Sequence, residues 1–504
     1  MLKTSRNSPP SQVRLMRNCC QWRVGWFSEM SRHTTFKFCL DPTVEQQERL
    51  ARHAGAARFA FNQCLRMVKD ALSEHRTDSD VEVPWSGFDL INSFNAWKKT
   101  ADAGRVFSVS TSGLIEVTAT GLGWRDQVCQ QVFEEAAVDC GRALKAWSDS
   151  RSGERRGRRA GFPRFKKKSS TVPSFRLRNR YSKAGRAGIR VGESCPRSVT
   201  LPGIGIVRVR DDSRRLRRML SKGRAKILFA TISQHAGRWW VALNVEAADL
   251  HPSNRQAARD PADREGWVGI DRGLSIYLVA VTADGRRVGR VENAPKALVR
   301  GMRRQQHLGK SLFRKKKGSN NRRQAIIRLA RHHHRIANIR RHFLHEVSNQ
   351  LVKTHDRVVI EDLNIAGMVH NHRLARAIND AGWAELARQM RYKAEWRGGE
   401  VVVADRWYPS SQICSRCNVR LQGLSLGDRQ FRCGCGYSAD RDLNAAVNLA
   451  RWGEQHAYPK PRTRKRAGRV TKARRRDGSD GHCPPVSETG PVDAGTDVHP
   501  APAA

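Results

Sequence analysis

Three acidic residues constrain this chain more than any other feature. Asp271 sits in VGIDRGLSIYLVAV, Glu361 in DRVVIEDL and Asp442 in ADRDLNAAVNLA. Each lies on or at the end of a run that reads as a buried strand, or where a helix begins. A four-cysteine cluster falls between the last two. Carboxylates drawn together from distant segments repel one another and are costly to bury; divalent cations reverse that cost.

The surrounding pattern supplies a frame for them. A meander of strands with a DG turn (WVGIDRGLSIYLVAVTADGRRVGRVE) is followed by a long basic helical region from about Lys296 to His355. Its apolar seam is Leu329, Ile336, Phe343, Val347 and Leu351. Two further strand-like runs, DRVVIEDL and EVVVADRW, bracket an amphipathic helix. A last helix begins at Asp442. This is the element order of an RNase H-like α/β domain, with Asp271 on the first strand, Glu361 at the tip of a parallel neighbour and Asp442 at the start of the final helix. Two Mg²⁺ ions (Mn²⁺ is the alternative) held there would activate a water and stabilise a departing 3′ oxygen of a phosphodiester. Taken singly, each acid also reads as a cap or turn residue. Asp362, Asp405 and Asp440 are the rivals. Asp442 is preferred to Asp440 because it stands two residues before Asn444, within the first helical turn. Asn444 and Arg441 beside it would orient metal ligands or phosphate.

Cys414 and Cys417 form one knuckle, Cys433 and Cys435 a second, about 15 residues apart. Four thiolates at this spacing predict a closed, tetrahedral, structural Zn²⁺ site that stiffens a segment too small to own a core. The second knuckle is CxC, which strains the usual turn. His332, His333 and His334 are consecutive on a helix and cannot all face one ion; they read as a polar, partly cationic face.

Charge indicates the partner. With 93 Lys and Arg against 47 Asp and Glu, the 504 residues carry a formal net charge of +46. A balance this basic implies polyanion binding, and nucleic acid is the usual polyanion. Clusters at Arg151–Arg159, Arg164–Lys168, Arg214–Lys226, Arg314–Lys317 and Arg462–Arg476 would neutralise phosphates. Trp239, Trp240, Phe162 and Phe165 are candidates to stack on bases, with burial in a core as the competing reading for the tryptophans. No apolar run approaches the roughly 20 residues of a membrane span. The N-terminus has no apolar segment of the secretory kind. The 12 cysteines suit a reducing cytoplasm, with nucleoid association following from the charge.

The predicted organisation is a disordered basic extension over 1–33, with Met1 or Met30 as the start, then a first barrel strand over 34–42. A helical, helix-turn-helix-like recognition region (43–150) and a basic loop (151–172) follow. Next come a small β-barrel (173–250), a polar linker (251–266), the α/β domain (267–408 and 439–455), an inserted zinc ribbon (409–438) and a disordered tail (456–504).

In the order GIDRGL, IEDLNIAGM, YPSSQICSRC, FRCGCG and DRDLNAAVNLAR, these motifs resemble the TnpB (OrfB-type) family of bacterial transposons, regarded as ancestral to type V CRISPR effectors. FKFCLDPTVEQQ, AARFAFNQCL, GFPRFKKKSS and LPGIGIVRV extend the likeness to roughly residues 35–452. The resemblance implies a RuvC-type nuclease domain that cuts double-stranded target DNA under the direction of a guide RNA from the transposon end. It implies Asp271, Glu361 and Asp442 as the catalytic, metal-binding triad and the four cysteines as the zinc ligands. The competing functions are a guided DNA-binding protein without cleavage (a repressor or transposition accessory) and a small type V CRISPR effector. Guide sequence, target-adjacent motif and oligomeric state are not encoded legibly.

Overall fold

The computed structural model describes residues 32–456, apart from 110–113, 156, 249, 251, 261–262 and 425–426. The expected N-terminal extension up to residue 31, the tail beyond 456 and its basic cluster at Arg462–Arg476 lie outside the described residues.

The N-terminal half pairs a helical layer with an antiparallel sheet. Strand β1 (Arg32–Asp41) leads into α1 (Val44–Glu74), where Thr43 and Gln46 form a reciprocal capping box. Helices α2 (Gly87–Trp97) and α3 (Gln130–Arg151) pack on α1. Between them stands a hairpin that the helical reading of 43–150 did not anticipate: β2 (Arg105–Val109) with β3 (Ile115–Thr120). Val106, Phe107, Val109, Ile115 and Val117 are β-branched or aromatic and suit a pleated ribbon better than a helix.

Strands β4 (Ser174–Arg178), β5 (Arg190–Val191), β6 (Ser198–Leu201), β7 (Gly205–Val209), β8 (Ala225–His235) and β9 (Arg238–Ala247) join β1 in a seven-stranded sheet ordered β4-β8-β9-β1-β7-β6-β5; the short α4 (Arg214–Ser221) lies between β7 and β8. Strand β1 serves both halves of it: Arg32 to Cys39 pair with β9, whereas Leu40 and Asp41 pair with β7. One apolar cluster joins both halves to the helices, through Phe38, Leu177, Val207, Ile232, Leu50 and Phe133.

The linker is docked. Gln256 donates to the carbonyls of Val352 and Lys353 at 3.2 and 3.0 Å, and Arg259 bridges Asp356 and Asp263.

The second half is a sheet of five strands sandwiched between helices. Strands β10 (Trp267–Asp271), β11 (Leu278–Thr282), β12 (Arg287–Val291), β13 (Arg357–Ile360) and β14 (Glu400–Val403) are ordered β12-β11-β10-β13-β14. The meander β10-β11-β12 is antiparallel, while β13 and β14 run parallel to β10. The expected long basic helix is two, α5 (Ala297–Phe313) and α6 (Asn320–Thr354), interrupted at KKKGS where Gly318 takes a positive φ. Short helices α7 (Ile365–Met368) and α8 (Ala375–Ala381) precede α9 (Trp383–Arg397). The small hairpin β15 (Gln430–Arg432) and β16 (Ser438–Asp440) leads into α10 (Arg441–His456).

Period-two alternation decides which helix each strand residue meets. Val268, Ile270, Val358 and Ile360 pack with Leu344, Val347 and Leu351 of α6 and with Leu386 and Met390 of α9. Trp267 and Val359 pack instead with Leu449, and Val279 and Val281 with Ala446 and Val447, all on α10. Odd-numbered residues of β10 and β13 therefore face α10, and Asp271 and Glu361 continue that face. Among the described residues no helix is long and apolar enough to cross a membrane.

Candidate active site and cysteine cluster

Register brings the first two carboxylates together. Ile270 pairs with Ile360 across parallel strands, so Asp271 and Glu361 are the next residues on adjoining strands, roughly 4.8 Å apart in backbone spacing. Gly269 brings in the third. A Cβ built there would stand 2.0 Å from the Ala446 carbonyl oxygen and 2.5 Å from the Ala450 nitrogen, so α10 lies with its backbone directly on β10. Asp442 precedes Ala446 by one helical turn, and Asp271 follows Gly269 by two residues on the same face. The two offsets match, at about 6 Å along the helix and about 6.6 Å along the strand.

Electrostatics record the convergence. Burial pushes the Asp271 carboxyl well above the usual carboxylate range, and the charges of Glu361 and Asp442 push it further. Glu361 is also raised, by burial first, against the pull of the Ser410 hydroxyl and the Arg272 guanidinium. Asp442 is raised by burial and then by Asp440, with Arg429, Arg441 and Arg290 opposing. A cluster whose three carboxyls are all raised, Asp271 by both of the others, is short of positive charge, which suits a donor set for hard divalent cations.

The rivals are otherwise engaged. Asp440 accepts from the backbone N–H groups of Asp442 and Leu443 at 2.9 and 3.2 Å and so caps α10, leaving the Asp442 side chain free of that duty. Asp362 accepts two bonds from Arg406, and Asp405 turns the chain by accepting from the Trp407 N–H.

Arg272 went unrecognised in the sequence. It is buried on the opposite face of the sheet, and its Nη2 donates to the Glu361 carbonyl at 2.6 Å. It places a cation beneath two of the three acids. Ser410, from YPSSQIC, donates to Glu361 Oε1 at 2.9 Å.

The cysteines form a compact cluster. The Sγ atoms of Cys414 and Cys435 are 3.7 Å apart, those of Cys417 and Cys433 3.6 Å, and all four lie within 4.8 Å of one another. Among the described residues no other set of three or more His, Cys, Asp or Glu ligand atoms is so tight. Tetrahedral metal–sulfur bonds of about 2.3 Å place sulfurs about 3.8 Å apart, so the spacing fits one ion. The CxC knuckle is accommodated by Gly436 at φ +82° and by the Cys433 N–H donating to Tyr437. The Cys435 thiol is held down to about 7, chiefly by the Tyr437 backbone N–H.

The last helix holds this cluster in place. Asn444 accepts from the Ser415 N–H at 2.9 Å and donates to the Ile413 carbonyl at 2.7 Å, gripping the backbone on both sides of Cys414. Asn448 donates to the carbonyls of Ser410 and Ile413 at 2.8 and 2.6 Å. Arg451 donates to the carbonyl of Ser415. Residues 444, 448 and 451 share one helix face. Asn444 thus positions a cysteine, and Arg441 reaches the Ser411 hydroxyl and the Asp428 carbonyl at 3.4 Å.

Trp239 is core, at 4% exposure, whereas Trp240 is half-buried beneath Lys37 and packed on His334. The expected cationic histidine face is corrected: burial lowers the pKa of His333 and of His334, and His332 hydrogen-bonds the Gly301 carbonyl. Phe165 is exposed under Lys69, and Phe162 sits edge-on against Trp147.

Relatives match this chain along most of its length. A Mycobacterium tuberculosis protein named "Putative RNA-guided DNA endonuclease" is 32% identical over 426 residues, covering 83% of this chain and 86% of its own length. The chain belongs to the TnpB (OrfB, IS605-type) family. The family description "Probable transposase" matches residues 250–372, and a "Cas12f1-like, TNB domain" matches 383–449, which spans α9, β14, the cysteine cluster and most of α10. A "Helix-turn-helix domain" matches 30–77, where this chain has a strand and one 31-residue helix. The InsQ protein of Escherichia coli K12 is 29% identical over 436 residues, covering 83% of this chain and 92% of its own length. The CRISPR-associated endodeoxyribonuclease Cas12f1 of Sulfoacidibacillus thermotolerans is 38% identical over 77 residues, 15% of this chain and 18% of its own length. A solved Cas12f1–sgRNA–target DNA complex aligns with a TM-score of 0.49 at 11% identity, covering 83% of this chain and 99% of that one.

Proposed function

We propose that this TnpB-family chain is a transposon-encoded, RNA-guided DNA endonuclease whose cutting site is Asp271, Glu361 and Asp442. The observation that carries the reading is the convergence of three partly buried carboxylates, all raised above the usual range, at the end of a 3-2-1-4-5 sheet, the strand order of an RNase H-like (RuvC-type) domain. The seven-stranded sheet is read as a small barrel carrying the helical region as an insertion.

Two Mg²⁺ ions, or Mn²⁺, would supply the charge the acids lack, generate the water nucleophile and stabilise the departing 3′ oxygen. Asp271, which feels the charge of both other acids, would hold the metal together with them. Glu361 is fixed from above by the Ser410 hydroxyl and from below by Arg272 on its carbonyl. Asp442 rides on α10, whose position over β10 is set by Gly269. Cys414, Cys417, Cys433 and Cys435 would hold a Zn²⁺ that stiffens the segment delivering Ser410, so the ribbon would support the site without touching substrate.

The basic surfaces hold a guide RNA derived from the transposon end and the double-stranded target, with base pairing reading sequence. The protein works in the bacterial cytoplasm, at the nucleoid. The test is to express the chain with its flanking DNA, sequence the RNA that co-purifies, and assay Mg²⁺-dependent cutting of a matched duplex. A discrete RNA ending at the element boundary and guided cutting support the reading. Random RNA fragments with no guided cutting overturn it.

A further inference from the structure

The helical region holds a cavity remote in sequence from the carboxylates. A cavity of about 880 Å³ opens between the C-terminal ends of α1 and α3 and the basic loop. Its walls combine Trp85, Trp147 and Phe162 with Lys69, Arg76 and Arg151, and no carboxylate lines it.

The aromatic rings are organised. The indoles of Trp85 and Trp147 lie within 16° of parallel with centroids 6.2 Å apart, and Phe162 meets Trp147 edge-on at 5.1 Å. Trp85 is 41% exposed and also borders a neighbouring cavity of about 440 Å³, so its ring is a partition with open space beside it.

The cations are available as well. The Arg151 guanidinium lies 5.9 Å from the Trp147 ring centroid, and Lys69 lies 4.5 Å from that of Phe165. Lys69, Arg76 and Arg151 make no ion pair among the described residues. Flat apolar faces beside unneutralised cations are complementary to one chemistry: a planar base joined to an anionic phosphate.

We propose that this cavity captures an unpaired nucleotide, its base stacked on Trp85 and its phosphates held by Lys69, Arg76 and Arg151. The cavity is within the range of about 300–1,000 Å³ typical of small-ligand sites, ample for one nucleotide. The site anchors one unstacked position of a bound strand and reads no sequence, because every base presents a π-face. It does not depend on the carboxylates, and Asp271→Ala protein keeps it.

Irradiation of the full chain with its co-purified RNA, with and without target DNA, tests this by zero-length cross-linking and mass spectrometry of the adducts. Nucleotide adducts on the peptides bearing Trp85 or Trp147 are expected. RNA adducts identify the guide as the source, and DNA adducts identify the displaced strand. The same adducts in Asp271→Ala protein separate this site from the nuclease reading. Trp85→Ala should weaken binding of the cross-linked strand by about 5- to 150-fold, the range of one base stack, and Trp85→Phe should restore most of it. Adducts confined to other peptides, or unchanged affinity in folded Trp85→Ala protein, overturn the proposal.

Discussion

Replacing Gly269 by alanine should damage cutting more than folding. Its Cβ would meet the Ala446 carbonyl oxygen at 2.0 Å, the Ala450 nitrogen at 2.5 Å and Leu449 Cβ at 2.8 Å. Contacts under 3.0 Å essentially never occur, and the first two partners are helix backbone that no rotamer change can move. Helix α10 must therefore retreat from β10 by about 1 Å. Overpacking of this kind costs about 1–3 kcal/mol, which a domain with this much core survives. The retreat acts directly on the site, because it carries Asp442 away from Asp271, and a misplacement of about 1 Å can cost about 100-fold in rate. Single-turnover cleavage by RNA-loaded protein, alongside thermal melting and target binding, separates the effects. A suitable control is Gly453→Ala, toward the far end of α10, where the added Cβ would meet the side chains of Val359 at 2.6 Å and Trp267 at 2.8 Å. It should lower stability comparably and cutting much less. Folded Gly269→Ala protein that cuts at the parental rate would refute the placement of α10 as the device that delivers Asp442.

Three further outcomes follow from the same geometry. Asp440→Ala removes the cap of α10 and should cost about 0.5–2 kcal/mol in melting experiments while leaving measurable cutting, whereas Asp442→Ala should abolish cutting without that loss. Asn448→Ala strips a donor from the buried Ser410 and Ile413 carbonyls and should cost about 1–3 kcal/mol, with faster loss of Zn²⁺ to a chelator. Asp271→Asn should melt higher than the parent in chelator at neutral pH. The raised carboxyl ionises more readily unfolded than folded, so the metal-free parent loses stability as pH rises from the ordinary Asp value, about 3.9, through the raised folded value. The advantage of the variant should therefore vanish below that ordinary range and when Mg²⁺ is added; a variant that melts lower in chelator contradicts the cluster.

The carboxylates were legible because each ends or begins an element with a strong local signal. Glu361 follows the fully buried Arg357–Ile360, and Asp271 closes the run Trp267–Asp271. The cysteines were legible from spacing alone. What the sequence hid is how these elements touch. Gly269 looks like any strand glycine until the α10 backbone is laid against it. Asn444, Asn448 and Arg451 read as ordinary polar residues of an amphipathic helix, although their spacing of four and three marks a common face. Their partners are backbone groups flanking Cys414, which no side-chain pattern announces. Arg272 was hidden because a buried arginine has no local signature; its partners, the carbonyls of Glu361 and Trp383, come from distant segments. The β2–β3 hairpin was missed because long helices on both sides outweighed its short β-branched runs.

The most direct test of the central claim is cleavage of a matched DNA duplex by RNA-loaded Asp271→Ala protein, measured beside its RNA and DNA binding. Cutting reduced by three orders of magnitude or more, about 4 kcal/mol of lost transition-state stabilisation, with both binding affinities intact, is the result expected if Asp271 belongs to the cutting site. Undiminished cutting by the folded variant would place the chemistry elsewhere in the chain.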